Sequence, residues 1–513
     1  MSQLLARDDP WIEILRHGPP RDHGRCVLLW VQHAKRATMN RAANVAVAIA
    51  DHLDLPVVAL FVLVPDYPAA TLRSYKFMAE GLQELPEAFT KRGVGWTLRI
   101  GSPVDIVTDT AAELAAAVLV TDQDPLRTGR GWRVQVAQRV KIPFLAVDSD
   151  TVAPPALFPK EEYAARTMRP KLWRAIVAGD YLAPLSDTTP RTKNALSVLR
   201  DGPDPVAALD NLALDRSVMP SRRFRGGRAD ALRRLERFLE TRLATYPENH
   251  NRPETETQSG LSPYLHFGQI SPLEIATMAI AARAGDRAWL APKGATQIGL
   301  GEPRDDTPLA DFLDELITQR ELAVNFCLRN RDYDRWHGLP EWGRTTLRKH
   351  RGVPRPVIYP RAVIDAGETG DRLWNAAQRQ MRHEGWMPNR LRMYWAKQLL
   401  LWTDDPEEAF HLAVALNDRY FVDGRDANGY ANIAWTIGGR HDRPFAEREI
   451  LGMIRPMGAK GMARTMDVES YIALVESRTG ETVPPLPAAA ARQRPLALAS
   501  SPAAPKTENV VNP

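Results

Sequence analysis

The sequence predicts an α/β domain built on a parallel sheet, followed by an all-helical domain, and three observations predict it. In the first third, short continuous runs of Val, Ile and Leu alternate with amphipathic stretches, the rhythm of β-α-β units. Between about 186 and 227 this periodicity fades into Pro, Asp, Arg and Gly, the composition of a connector. Beyond it, the periodic stretches are helical and strand candidates are few.

The elements follow in order. Residues 1–24 read as a polar leader, with acids inside MSQLLARDDP and no apolar core long enough for export. Strands are expected at VLLWV from Val27, VVALFVLV from Val57, WTLRI from Trp96, AVLVTD from Ala117 and PFLAVD from Pro143. Helices are expected between them, at Ala43 to Leu53, Ser74 to Lys91, Pro103 to Ala116 and Trp132 to Val140. Unbroken apolar strands argue for a Rossmann-like parallel sheet covered on both faces, spanning 25–185. No GxGxxG or Walker pattern follows the first strand, so a standard dinucleotide or triphosphate site is not supported. After the connector at 186–227, a helical domain at 228–480 is expected from Ala229 to Ala244, Pro272 to Ala284, Pro308 to Arg329, Trp374 to Arg382, Asn389 to Trp402, Pro406 to Asn417 and Val468 to Ser477. The tail at 481–513, with Pro-Pro, Ala-rich and Ser-Pro stretches, lacks the apolar content to fold.

Composition sets wide bounds. Lys plus Arg is 67 against 62 for Asp plus Glu, a net charge of +5, which permits an anionic partner without demanding one. Arginines cluster at 440, 443, 448, 455 and 464 and again at 222, 223, 225 and 228. Cys26 and Cys327 are the two cysteines; they stand far apart, in no ligand spacing, so neither a disulfide framework nor a metal site is expected. No run reaches membrane-spanning length. A soluble cytoplasmic protein is expected, with no membrane partner.

The most informative stretch lies between Pro388 and Trp435, where Asn-Arg-Leu-Arg, three tryptophans and Asp423-Gly424-Arg425-Asp426-Ala427-Asn428-Gly429 come together. In LRMYWAKQLLLW, Arg392, Trp395, Leu399 and Trp402 fall at offsets of three, seven and ten, one stripe of a helix. Trp395 and Trp402 would then stand roughly 10 Å apart along the axis, a spacing that suits electron hopping towards an acceptor beside Arg392. Aromatics at helical spacing are usually core packing. Thirteen tryptophans in 513 residues, with Trp374, Trp386, Trp395, Trp402 and Trp435 in one region, favour a redox chromophore instead. Arg392 and Asp423 are too distant in sequence for a local helix pair, so their pairing would be a tertiary contact. Gln258-Ser259-Gly260-Leu261-Ser262-Pro263 offers hydroxyls and free backbone donors at a helix start, a capping loop able to bind phosphate oxygens.

These segments, with LVPDYPAATLRSYKFMAEGL, VTDQDPLR, EYAARTMRPK, SGLSPYLHFGQIS, FLDELITQRELAVNFC, LWNAAQRQM and WTIGGRHDRPF in fixed order, resemble the class II cyclobutane pyrimidine dimer photolyases. These are flavoproteins that use light to split ultraviolet-made dimers in DNA. The resemblance runs from about Cys26 to Glu476. It implies FAD, active as FADH⁻, in the helical domain, and allows a deazaflavin antenna in the N-terminal one. It implies that Tyr246, Ser259, Gly260, Leu261 and Ser262 cradle the FAD diphosphate and ribityl chain, that Arg392 and Asp423 lie against the isoalloxazine ring, and that Asn417 lies beside N5. Glu315 would contact the dimer carbonyls, Met393 and Trp435 would form walls of the lesion pocket, and Asn389 would touch the substrate. Tyr359 would border that pocket or the electron route, which the resemblance runs through Trp395, then Trp374, with Trp402 as a branch. Arg443 and Arg455 are the candidates for engaging damaged DNA. No obligate protein partner is implied, and a monomer is expected.

Three departures stand out. Residues 388–392 resemble the class I version of this segment, Gln319 stands where some members carry an aromatic, and His250 replaces an Arg. Ile433 occupies the position where class I keeps its first tryptophan. Two alternatives remain: a cryptochrome-like photoreceptor on the same fold, and a light-independent nucleic-acid-binding protein using its basic stripe alone.

Overall fold

Five strands fall where the apolar runs place them: β2 (Cys26–Val31), β3 (Val57–Leu63), β4 (Gly95–Ile100), β5 (Ala116–Asp122) and β6 (Phe144–Val147). The structure is a computed structural model that describes residues 9–192, 202–283 and 307–483. These five strands pair in parallel, in the order β6-β5-β2-β3-β4. A sixth strand, β1 (Ile12–Arg16), adds to the β6 edge in antiparallel register, Ile12 opposite Val147. The expected all-parallel sheet is therefore mixed at one edge, and the leader supplies the extra strand. IEILR escaped notice because an edge strand is only half covered: its residues are partly exposed, with Ile14 at 40%, so it never shows the continuous apolar run of an interior strand.

Alternation of side chains along β2 sends Val27, Leu29 and Val31 to one face, against Ala43 and Val47 of helix Arg41–Leu53. Leu28 and Trp30 go to the other, against Val104, Val107 and Val136 of helices Pro103–Glu113 and Arg127–Arg139. The expected helix from Ser74 to Lys91 is two helices, Leu72–Leu82 and Leu85–Lys91. Pro86 cannot continue the first and is suited to open the second.

Beyond the sheet every described element is helical. The two longest of the described helices that were not expected are Ala165–Ala178, with Pro170 inside it, and Ala427–Gly438, with glycine and β-branched residues. Their intrinsic propensity is poor, and burial of Leu172, Trp173 and Ile176 in one, Ala431, Ala434 and Ile437 in the other, holds them. The stretch expected as one helix from Pro308 to Arg329 runs as Thr307–Leu313, a π-helical turn at Asp314–Gln319, and Arg320–Arg329. Most of the tail, from residue 484, lies outside the described residues, as do 193–201 of the connector. Among the described residues no helix is long and apolar enough to cross a membrane, and Cys26 and Cys327 are both buried thiols.

The two halves are joined by buried polar side chains. Arg73 of helix Leu72–Leu82 donates to the carbonyls of Met381, Arg382 and Tyr420, the ends of helices Arg372–Glu384 and Pro406–Tyr420, where cations are favoured. The connector packs tightly on the same helix: a Cβ on Gly226 would lie 1.8 Å from the Phe77 carbonyl oxygen. Glu321 accepts from the backbone N–H groups of Val152 and Ala153, at 2.6 and 3.2 Å. Burial pushes its carboxyl up to about 8. The folded chain therefore holds a proton that the unfolded chain releases, so this residue subtracts stability as pH rises from the usual carboxylate range to about 8, on the order of 1 kcal/mol per pH unit. Glu321→Gln should flatten that slope, leaving stability unchanged in acid and raised above neutrality. Denaturant unfolding of both proteins across this range checks it.

Candidate active site

Arg392 sits one turn into helix Asn389–Trp402, and its Nη2 donates to both oxygens of Asp423, at 3.0 and 2.9 Å. Nε donates to the Met387 carbonyl at 3.1 Å, and the guanidinium lies 4.1 Å over the Phe421 ring. The tertiary pair expected from sequence is formed, and it is largely out of solvent, at 15% and 4% exposure. Asp423 reaches it because the chain turns sharply after helix Pro406–Tyr420. Gly424 closes on the Asn417 carbonyl, where a Cβ would stand 2.4 Å away, and Arg425 takes φ +57°. Asn417 is thereby brought into the same turn, buried, its Nδ2 donating to Asp418 at 2.8 Å.

The Ser259–Ser262 segment is linked to this turn through Gly385 and Trp386: the Trp386 indole N–H donates to Ser262 Oγ at 3.2 Å, and Val422 N–H of the turn donates to the Gly385 carbonyl at 2.8 Å. Gly260 has φ +68° and nothing closer than 3.6 Å to the place of a Cβ, so its backbone is open to a ligand. One neighbour at that distance is Arg234 Nη1, and Arg242 donates to the Gln258 carbonyl. Arg223, whose guanidinium lies 4.4 Å over Trp386, is already paired with Glu384 at 2.8 Å and Glu256 at 3.5 Å, so Arg234 and Arg242 are the cations that fit the loop for a diphosphate. Sequence reasoning missed Arg234 and Arg242. Their one signal was position, on and just after the amphipathic helix Arg228–Thr241 that precedes the loop. Tyr246 is buried and stacks on His250, with ring centroids 4.8 Å apart and an interplanar angle of 21°. His250, which replaces the expected Arg, thus braces Tyr246.

Three tryptophans lead away from the Arg392 turn. Trp395 and Trp374 stack at 6.4 Å with a 6° angle, and Trp374 meets Trp402 edge-on at 5.1 Å. The indole N–H of Trp374 donates to the Trp395 carbonyl at 3.0 Å, and that of Trp395 to Gln378 Oε1 at 2.7 Å. Trp395 is in turn 6.4 Å from Phe421, the ring under Arg392. Trp374 therefore bridges the helical turns between Trp395 and Trp402. Tyr359 stands at the end of this series, T-shaped on Trp402 at 5.2 Å, its hydroxyl accepting from Gly370 N–H. This packing sets Tyr359 against the outermost of the three tryptophans.

On the solvent side, Asn389 accepts from Asn432 Nδ2 at 2.7 Å, drawing the start of helix Asn389–Trp402 to helix Ala427–Gly438. Trp435, one turn past Asn432, and Met393, one turn past Asn389, are both half-buried. Arg455 lies 5.6 Å over Trp435, and its fork is taken by Asp442, at 2.7 and 3.0 Å. Arg443 is exposed beside it. Glu315 projects from the π-helical turn, whose wider winding is common at functional positions. Asp314 faces Arg169 at 2.6 Å and Thr318 accepts from Trp173, leaving Glu315 at the rim. Protein packed around its carboxyl, with the like charge of Asp314 behind it, pushes the acid above its ordinary range. Tyr246 is close enough to feel that charge, so Glu315 stands beside the loop side of the site.

A second recess, with a cavity volume of ≈ 110 Å³, opens at the carboxyl ends of β2 and β3. Phe61, Tyr67, Trp132 and Phe267 give it aromatic walls, and Lys35, Asp124 and Arg425 supply charge. Its place was not identified from sequence, because its lining comes from segments as distant as Trp30 and Arg425.

A family model described as DNA photolyase matches residues 27–188. A deoxyribodipyrimidine photo-lyase of Methanothermobacter thermautotrophicus is 35% identical over 454 residues, covering 88% of this chain and 95% of its own. That of Potorous tridactylus is also 35% identical, over 88% of this chain and 81% of its own. Among solved structures, a class III photolyase of Agrobacterium tumefaciens superposes with TM-score 0.65 at 19% identity, covering 88% of this chain and 86% of that one. A Sulfolobus tokodaii photolyase with two FAD molecules superposes at 0.62 and 16% identity, over 89% and 94%. A long ordered match to such relatives, on a fold carrying this buried ion pair and tryptophan series, makes the chain a member of the DNA photolyase family.

Proposed function

We propose that the protein is a deoxyribodipyrimidine photo-lyase of the class II type, which splits ultraviolet-made cyclobutane dimers in DNA using light absorbed by a bound flavin. The observation that carries this reading is the Arg392–Asp423 pair, with Asn417 in the same turn and the Trp395–Trp374 stack leading into it. Bound FAD, as FADH⁻, supplies the electron that opens the dimer ring and accepts it back, so no net oxidation results. The chain's own groups do the rest. Ser259 to Ser262 and Tyr246 hold the diphosphate end, with Arg234 and Arg242 balancing its charge. Arg392 places a cation beside the ring, which favours an anionic reduced flavin. Trp402, Trp374 and Trp395 pass electrons inward when the flavin has been oxidised.

A dimer inside a duplex must be flipped out to reach this site, and a damaged, poorly paired step makes that easier. Asn389, Met393 and Trp435 would line its pocket, with Arg443 and Arg455 on the strand. Because Arg455 is already held by Asp442, it acts chiefly by presenting the Trp435 face, and Arg443 is the freer cation for phosphate. The aromatic recess in the sheet half suits a planar, anionic antenna such as a deazaflavin, with Lys35 and Arg425 as counter-charges. We divide the chain into a light-gathering part at 25–185 and a cofactor and DNA part at 228–480, working as a monomer in the cytoplasm.

Illumination of dimer-containing duplex DNA with purified, flavin-loaded protein should restore intact pyrimidines, and darkness should not; equal outcomes in light and dark would refute the assignment. Within it, Glu315 in its acid form donates to the dimer carbonyl as negative charge builds there. Held above its ordinary range, the carboxyl keeps that donor present to higher pH than an ordinary one would, and the donor is lost as pH rises further. Glu315→Ala should lower repair about tenfold with the flavin spectrum unchanged. Glu315→Gln, which keeps a donor, should retain most activity and lose the decline at high pH.

A further inference from the structure

Asn417 can present either its carbonyl oxygen or its NH₂ group to a neighbour, and the two ends of an amide are assigned by the groups around them. One neighbour settles the matter. Nδ2 of Asn417 lies 2.8 Å from Asp418 Oδ1; burial pushes the Asp418 carboxyl up while Arg425 and the donors around it favour the ionised form, and an ionised carboxylate can only accept. The same oxygen accepts from Arg425 N–H at 3.1 Å, and Oδ2 accepts from the Tyr430 hydroxyl at 2.9 Å. Both carboxylate oxygens are thus engaged, the Arg425 guanidinium donates to the Asp418 carbonyl, and its other arm reaches Ser74 Oγ at 2.7 Å. Asn417 and Asp418 are 3% and 8% exposed, so water cannot readily replace these partners. Turning the amide over would oppose two acceptors at hydrogen-bond distance, with the lost bond added to the cost. Gly429 closes the remaining side: a Cβ there would lie 3.1 Å from Nδ2 and 3.2 Å from Oδ1. Any side chain would displace the amide, which gives this glycine a reason of space.

We propose that Asp418 is a positioning residue that locks the Asn417 amide with its carbonyl oxygen outward, so that the protein offers the flavin an acceptor at N5 and no donor. This rests on the reading that places Asn417 beside N5. The chemical consequence is directional. Reduced flavin carries hydrogen on N5 and is matched by an acceptor; oxidised flavin has a bare, accepting N5 and is opposed by one. Asp418, without touching the cofactor, thereby biases the site towards the reduced form that the reaction needs. The bias reaches the sheet half through Arg425 and Ser74, both of which line the aromatic recess.

The test compares the affinities of the protein for reduced and oxidised FAD, together with the flavin midpoint potential, neither of which a purely structural residue would shift selectively. Asp418→Asn preserves size and frees the amide to turn. Its preference for reduced over oxidised FAD should fall about tenfold, which for a two-electron couple is about 30 mV towards negative potential. Tyr430→Phe, which releases one carboxylate oxygen but leaves the Asn417 bond, should shift it less in the same direction. A wild-type preference retained in Asp418→Asn overturns the proposal. If Asn417→Leu shifts the preference and Asp418→Asn does not, the proposal alone falls; if Asn417→Leu shifts nothing, the placement at N5 falls and takes the proposal with it. Should Asp418→Asn fail to fold, the wild-type holoenzyme labelled with 15N-asparagine decides. Its Asn417 NH₂ protons should exchange slowly with solvent in both redox states, and fast exchange in either overturns the assignment.

Discussion

Trp395→Phe should bind flavin normally, repair dimers at the wild-type rate when supplied with chemically pre-reduced cofactor, and lose photoreduction of oxidised flavin by orders of magnitude. The expectation follows from where the indole stands. Trp395 is 1% exposed, stacked on Trp374, and in ring contact with Phe421, on whose face Arg392 rests. Phenylalanine fills most of the same space, but its ring is far harder to oxidise, so an electron from Trp374 would have to cross the gap in one step. Packing loss is modest for an aromatic-to-aromatic exchange, although the indole's hydrogen bond to Gln378 goes with it. Time-resolved absorption after a blue flash separates the two functions. A wild-type photoreduction rate would remove Trp395 from the route, and loss of repair by pre-reduced enzyme would show that it does more than carry electrons. Trp402→Phe and Tyr359→Phe, further out, should give smaller losses.

The second large effect concerns the ion pair. Asp423→Ala leaves the Arg392 guanidinium enclosed without its carboxylate, and breaking one partner of such a pair costs about 3–5 kcal/mol. The variant should unfold at markedly lower denaturant and purify without flavin colour. Replacing both members, Arg392→Leu with Asp423→Leu, removes the stranded charge and should recover most of the stability, yet still bind no flavin. Denaturant midpoints and visible spectra of the single and double variants therefore separate what the pair does for the fold from what it does for the cofactor. A double variant that kept full flavin occupancy would show that the pair is only structural.

Much of this was legible in the chain because it is written at short range. The interior strands announced themselves as unbroken apolar runs, and Arg392, Trp395 and Trp402 fell on one helical stripe by spacing alone. What was missed was faintly encoded or locally contradictory. β1 is an edge strand with two of its five residues exposed and none buried, Ala165–Ala178 contains a proline, and Ala427–Gly438 is poor in helix formers. The π-helical turn that sets Glu315 apart leaves no mark in periodicity, since the contacts made there, Arg169 to Asp314 and Trp173 to Thr318, come from the distant helix Ala165–Ala178.

The sequence by itself determined the two-part architecture, the order of the elements, and which residue types capable of holding and reducing a chromophore the chain carries. Only the tertiary structure decided that Trp374 slots between Trp395 and Trp402, that Arg234 stands over Gly260, and that Asp418 fixes the Asn417 amide. The reason is range. Backbone periodicity records which side chains share a face three or four residues apart, whereas these contacts join separate helices and turns, and their geometry exists only after the packed core has fixed how those elements meet.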